Sequence, residues 1–229
     1  MKNLIETDNK IAGHSISFID IDETTFHTYA KVNVIKDGKI VRTLDNKQFN
    51  TDILKDGESY DFSEFQDSKV FKDTSEPIEP IVSKIQNIID SIKRNNKLEK
   101  VIFLTARSDF NDKELFLKTF RANGIDVDIP NVYIERSGNL TNIKSVAERK
   151  RYVILKYLQT GDFTAIRMID DDINNLKVFS QLGVEINKGK FDILKKVKKK
   201  YPRVRKLFFF PLLVDKNGKI KNFSRKFIN

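Results

Sequence analysis

Cysteine is absent from the 229 residues, which excludes disulfides and thiolate metal sites and fits a reducing compartment. Histidine occurs only at His14 and His27. A three-histidine zinc site is therefore impossible, and a Ser-His-Asp triad has little to draw on. No apolar run approaches the ~20 residues of a membrane-spanning helix. The longest, Leu207 to Val214, is about one strand long and contains Pro211. Glycine-rich phosphate loops are missing too. Neither Gly-x-x-x-x-Gly-Lys-Ser/Thr nor Gly-x-Gly-x-x-Gly occurs, which argues against a P-loop nucleotidase and a dinucleotide enzyme. Lys2, Asn3, Glu6 and Asp8 leave no room for the apolar segment of a signal peptide. The expected location is cytoplasmic, in the host cytoplasm if the chain is viral, with no membrane partner.

What the chain does contain is a globular balance of 39% hydrophobic and 32% charged residues. Its length suits one domain, or one domain with an insertion. Lysine and arginine number 42 against 32 acidic residues, a formal charge of +10. An excess of that sign points to acidic partners, nucleic acid among them.

Three polar clusters stand out, each directly after an apolar run. Ile16, Phe18 and Ile19 lead into Asp20-Ile21-Asp22-Glu23-Thr24. Alternation along an extended segment puts Asp20 and Asp22 on the same side, where they need a cation or a shared proton. Val101-Ile102-Phe103-Leu104 leads into Thr105-Ala106-Arg107, and Ile166-Arg167-Met168-Ile169 into Asp170-Asp171-Asp172 followed by Asn174 and Asn175. Continuous apolar runs of this length read as strands buried on both faces. In open α/β sheets, ligands sit beyond the carboxyl ends of the strands, where all three clusters fall.

Between these runs the spacing predicts helices over 78–95, 112–122, 141–158 and 173–182, the last stopped by Gly183, with a short strand at 131–134. Strands alternating with helices imply a parallel sheet. Residues 1–13 read as a polar lead-in. A hairpin is expected at 29–44 around Asp37-Gly38, and loop with short elements at 51–75. The stretch 27–76 is thus a small β-rich insertion beside the first cluster, too short for a large closing lid. Lys188 to Lys206 carries ten lysines and arginines against Asp192 alone, on a helix whose apolar stripe is Phe191, Leu194 and Val197. Strands follow at 207–214 and 220–223.

The ordered clusters resemble the haloacid dehalogenase (HAD) superfamily of phosphotransferases. Asp20-Ile21-Asp22-Glu23-Thr24 looks like its Asp-x-Asp-x-Thr motif, Thr105 like the second motif, and Asp170-Asp171 like the paired aspartates of the fourth. Lys150 or Lys144 would be the third-motif lysine, with Lys150 preferred for its distance from the fourth. The details Thr105-Ala106-Arg107 and Asp-Asp-x-x-x-Asn-Leu are similar to HAD proteins of large bacteriophages, and more distantly to polynucleotide 3′-phosphatases. The resemblance covers about 18–182.

It implies a Rossmann-like core over 14–186, with the insertion at 27–76 and a basic C-terminal extension, 187–229, packed on the core. It also implies an Mg²⁺-dependent phosphatase. Asp20 would attack phosphorus, and Asp22 would act as general acid and base. Thr105 would bind a phosphoryl oxygen and Lys150 balance charge. Asp20, Asp170, Asp171 and the Asp22 backbone carbonyl would form the metal site. Thr24, Ala106, Arg107 and Asn175 are the candidate substrate contacts. The expected substrate is a nucleic-acid end or a nucleotide, then a small phosphometabolite, with nucleic acid held by the basic segment. The alternative of another class is a non-catalytic nucleic-acid-binding protein that keeps the fold.

Overall fold

The computed structural model describes residues 13–49, 51–95 and 98–223. The polar lead-in read over 1–13 lies, Gly13 apart, outside the described residues. In chain order the elements are β1 (His14–Ile19), β2 (Phe26–His27), β3 (Val32–Lys36), β4 (Lys39–Leu44), α1 (Asn46–Phe49), β5 (Glu58–Asp61), α2 (Ser63–Gln66), α3 (Ser68–Thr74) and β6 (Glu76–Pro77). Then come α4 (Glu79–Asn95), β7 (Lys100–Thr105), α5 (Lys113–Ala122), β8 (Val132–Arg136) and α6 (Val146–Leu158). The chain ends with β9 (Phe163–Asp170), α7 (Ile173–Asn187), α8 (Ile193–Lys200), β10 (Phe208–Val214) and β11 (Ile220–Asn222). No helix among the described residues is long and apolar enough to cross a membrane.

The centre is a six-stranded sheet in the order β11-β10-β9-β1-β7-β8. All neighbours are parallel except the edge strand β11. Helices flank both faces, an arrangement compatible with a Rossmann-like fold. Alternation along the strands divides the core in two. Ile16, Phe18, Ile102, Leu104, Ile166 and Met168 meet α6, α7 and α8 on one face. Ile19, Val101, Phe103 and Ile169 meet α4 and α5 on the other. Burial on both faces is why these strands are continuous apolar runs.

The chain runs outward from β1 through β7 to β8, then returns to β9 on the other side of β1. Adjacent strands β1 and β9 thus belong to opposite halves, and the crevice beyond their carboxyl ends is a topological switch point.

The insertion is tied at its base by β2 pairing antiparallel with β6. Its hairpin forms as expected, and β5 adds a third strand in the order β4-β3-β5. Val32, Val34 and Leu44 make a small core of their own. Strands make up only part of the insertion, however. The stretch read as loop with short elements holds β5, α2 and α3, and Phe71 of α3 is buried in the main core against Phe26, Phe116 and Phe120. Aromatic burial decides this placement, which a local count of Asp and Ser does not register.

Three helix bounds differ from the spacing. α6 starts at Val146, so 141–145 is not helical. α7 runs through Gly183 to Asn187. Gly183 is a close approach instead of a stop, because a methyl group there would come within 2.7 Å of Phe209 Cγ. The basic helix is only α8, eight residues long. The strand after it, β10, joins the central sheet beside β9.

Candidate active site

The sheet brings the three clusters to one place. Asp20 follows β1 directly, and its N–H donates to the Ile169 carbonyl of β9 at 2.9 Å. Asp170 closes β9, with Asp171 the next residue. Lys150, buried on α6, reaches between the strands: its Nζ lies 2.5 Å from Asp20 Oδ1 and 2.8 Å from Asp170 Oδ2. Lys144 is exposed and outside the helix, so Lys150 is the lysine at the site.

Carboxylate oxygens of Asp20, Asp170 and Asp171 lie within 4.8 Å of one another, a group that could hold a metal ion. Its electrostatics favour a cation. Burial raises the proton affinity of Asp20 well above the usual carboxylate range, against the pull of Lys150, and Asp170, Asp171 and Asp22 raise it further. Burial and then Asp170 push Asp171 up to about 6. Burial alone would favour neutral Lys150, but Asp170 and Asp20 outweigh it and hold the ammonium protonated. One lysine thus faces three carboxylates, and hard oxygen donors without thiolates suit Mg²⁺ or Ca²⁺ by type.

Asp170 is fixed from behind. Asn175 Nδ2 donates to its two oxygens at 2.9 and 3.1 Å, and the Asp172 N–H donates at 2.9 Å. Asn175 is buried, so it is a support for Asp170 and not a surface of the cleft. Its Oδ1 is a buried acceptor with no partner among the described residues. Thr24, also buried, donates through Oγ1 to Asp171 Oδ1 at 3.0 Å and accepts the Asp171 N–H at the same distance. The first cluster thereby holds the third in register.

Asp22 stands apart from the acidic group. Arg107 donates to it from Nε at 3.1 Å to each oxygen and from Nη2 at 2.6 Å. Thr28 Oγ1 adds a bond of 2.7 Å and Thr105 Oγ1 a longer one of 3.3 Å. Burial would raise the Asp22 pKa, but the Arg107 charge and hydrogen bonds outweigh it and leave it lowered. Arg107 is itself buried, its Cζ lying over the Phe65 and Phe71 rings at 4.9 and 5.0 Å, and it donates to the Phe65 carbonyl at 2.9 Å. The insertion therefore sets the position of Asp22 through one guanidinium.

Thr105 is buried at the end of β7, where its Oγ1 accepts the Arg107 N–H at 3.1 Å. Ser137 Oγ donates to the Thr105 carbonyl at 2.8 Å, and the Gly138 N–H to that of Arg107 at 3.1 Å. Only glycine fits there, since a Cβ would lie 2.4 Å from the Ala106 oxygen. Of the four substrate-contact candidates, Ala106 alone is exposed. Thr24, Arg107 and Asn175 all hold carboxylates.

Several residues here carry no signal in the sequence. Glu23 has φ 55, an uncommon conformation for a residue with a side chain, beside the site. Its carboxylate accepts the Thr28 N–H at 3.1 Å and contacts His27 Nδ1 at 2.9 Å. Thr28, Phe65 and Phe71 belong to the insertion and reach Asp22 and Arg107 only through the fold.

Comparison with protein-family models finds none that matches this chain, and comparison with curated proteins finds no match either.

A pH dependence follows from Asp171. Its folded pKa, about 6, lies above the ordinary carboxylate value, so the folded protein binds the proton more tightly than the unfolded chain. Its ionisation therefore costs stability as pH rises from about 4 to about 6. Without divalent cations, the melting temperature of wild type relative to Asp171→Asn should fall across that window, and added Mg²⁺ should reduce the fall. A difference that is flat with pH would remove the electrostatic argument for a cation.

Proposed function

We propose that this protein is an Mg²⁺-dependent phosphomonoester hydrolase of the haloacid dehalogenase type, working through an aspartyl-phosphate on Asp20. The observation that carries this reading is the bridge from Lys150 to Asp20 and Asp170, with Asp171 in the same cluster at the switch point of the sheet. Residues from three distant stretches converge there, and their types are those that phosphoryl transfer needs.

Asp20, Asp170 and Asp171 would hold Mg²⁺, which supplies positive charge that lowers the proton affinity of the carboxylates and offsets the phosphoryl oxygens. An Asp20 oxygen attacks phosphorus, and the bond from phosphorus to the leaving oxygen breaks. Asp22 delivers a proton to that oxygen, then takes one from the water that splits the aspartyl-phosphate. Phosphate leaves and Asp20 is regenerated. Lys150 stabilises the negative charge on Asp20 throughout.

The Arg107 contact adds a condition to the first half-reaction. Arg107 holds Asp22 as a carboxylate, the right form to receive a proton from water and the wrong form to give one. For the acid step Asp22 must take up a proton against the Arg107 charge, and the negative charge of an arriving phosphoryl group beside it favours that protonation. Asp22→Asn should slow turnover by about 10²–10⁴-fold. Arg107→Gln should move the acid limb of the pH–rate profile upward, because Asp22 then loses the charge that keeps it ionised. An unmoved limb would remove Arg107 from this role.

The reading is tested by a turnover screen with Mg²⁺ over an aryl phosphate, mononucleotides, 3′- and 5′-phosphorylated oligonucleotides and sugar phosphates. Nucleotides or oligonucleotide ends are the expected substrates, and sugar phosphates rank second. Release of phosphate from none of them would favour a protein that keeps the fold without the chemistry.

A further inference from the structure

A dense run of lysine and arginine, 188–206, lies far from these carboxylates. Ile193, Leu194 and Val197 bury one side of α8 in the core. On the opposite side Lys195, Lys198 and Lys199, spaced i, i+3 and i+4, share an exposed face. None of the three has an ion-pair partner among the described residues, and neither have the exposed Arg203 and Arg205 in the turn that follows. The neighbours Lys196 and Lys200 are used differently. Lys196 Nζ donates to Gln159 at 3.1 Å, and Lys200 Nζ to the Thr160 carbonyl at 2.8 Å and Asp162 at 2.6 Å. These bonds anchor the helix to the loop before β9 and leave its other cations to solvent.

That loop precedes Phe163, and Tyr201 packs edge-on against His14 at the start of β1. α8 therefore sits at the amino ends of β1 and β9, whereas Asp20 and Asp170 lie at their carboxyl ends. β9 alone separates the two by about 23 Å, at about 3.3 Å per residue.

We propose that the Lys195–Lys198–Lys199 face of α8, extended by Arg203 and Arg205, binds the phosphate backbone of nucleic acid at the pole of the molecule opposite the carboxylate cluster. A rigid row of cations repels itself and gains free energy when a polyanion releases its counterions there. A lipid surface fits less well. A membrane-seated helix inserts large apolar side chains beside its cations. Here those of α8 are buried, and no large apolar side chain between 188 and 206 is exposed. For the substrate this proposal rests on the phosphatase reading. A polymer held at α8 would have its terminal phosphate concentrated near a site about 23 Å away, at about 3.3 Å per residue of β9, a gain that a mononucleotide cannot share.

The experiment is a salt titration of binding, followed by fluorescence anisotropy, with a labelled single-stranded oligonucleotide of about 20 nucleotides, longer than typical single-strand sites. The probe carries no terminal phosphate, so binding is read whether or not the protein is a phosphatase. The triple variant Lys195→Gln, Lys198→Gln, Lys199→Gln is compared with wild type. Expected is weaker binding at low salt, with the slope of log K against log salt shallower by about 2, from about 0.7 per cation lost. Hydrolysis of an aryl phosphate should be unchanged. Equal slopes for the two proteins would overturn the proposal. So would tighter binding of wild type to phosphatidylserine vesicles than to the oligonucleotide at equal anion concentration, which would make the face a membrane contact.

Discussion

Asp20→Asn is expected to lose hydrolysis of an aryl phosphate by roughly 10³-fold or more, the scale on which the loss of a covalent nucleophile is felt. The amide is nearly the same size as the carboxylate but is a poor nucleophile and a poor ligand for a hard cation. The fold should survive and gain. Asp20 is buried among Asp22, Asp170 and Asp171, and its raised proton affinity means that its ionised form costs stability at neutral pH. The neutral amide removes that cost, and Lys150 keeps Asp170 as a partner at 2.8 Å. A variant that melts no lower than wild type in the absence of Mg²⁺, yet neither turns over nor gains stability from added Mg²⁺, is the expected result. Turnover within about tenfold of wild type would end the covalent mechanism, because losing a nucleophile costs far more. A gross loss of structure would instead mean that the Asp20 carboxylate is a structural partner of Lys150.

Much of this site was legible because its chemistry is local. Asp20, Thr105 and Asp170 each end an apolar run, and an apolar run of strand length with a polar residue at its end already states which end of the sheet that residue occupies. That the three runs share one crevice follows from the strand order, with β1 between β7 and β9, which is long-range and not carried by the runs themselves. The supports of the site were not legible. Arg107 stands two residues after Thr105 and reads as a surface residue facing a phosphate. Its burial comes from Phe65 and Phe71, more than thirty residues earlier, in a stretch that reads as loop with short elements and gives no sign of where its aromatic side chains pack. Asn175 reads as a helix-start residue open to the cleft, and only the turn of Asp170 into α7 shows it to be a brace. The length of the basic helix was obscured for another reason. Cations recur through 188–206 at all spacings, and the apolar stripe that defines α8 is only Ile193, Leu194 and Val197. The position of that helix is set by Gly161 and the loop to β9, contacts without a local pattern.

The choice between the two lysines gives the largest expected effect on stability. Lys150→Met keeps most of the aliphatic stem and removes the charge, which leaves Asp20 and Asp170 buried without the cation that bridges them at 2.5 and 2.8 Å. Breaking a buried pair in this way costs about 3–5 kcal/mol. The loss should shrink as pH falls, because protonation of the carboxylates removes the uncompensated charge, and it should shrink with Mg²⁺ if the cluster binds it. Turnover should fall even at saturating Mg²⁺, since the ammonium also stabilises charge on the nucleophile. Lys144→Met is the control: the side chain is exposed, and its stability should stay within about 0.5 kcal/mol of wild type. Urea unfolding at pH 7 and pH 5, with and without Mg²⁺, reads the first effect, and aryl phosphate turnover reads the second. Normal stability and turnover in Lys150→Met, together with a loss in Lys144→Met, would transfer the role to Lys144. Carboxylates that bear the loss of Lys150 at neutral pH without cost would have to be protonated in the folded protein, and Asp20 would then be no nucleophile until a cation is bound.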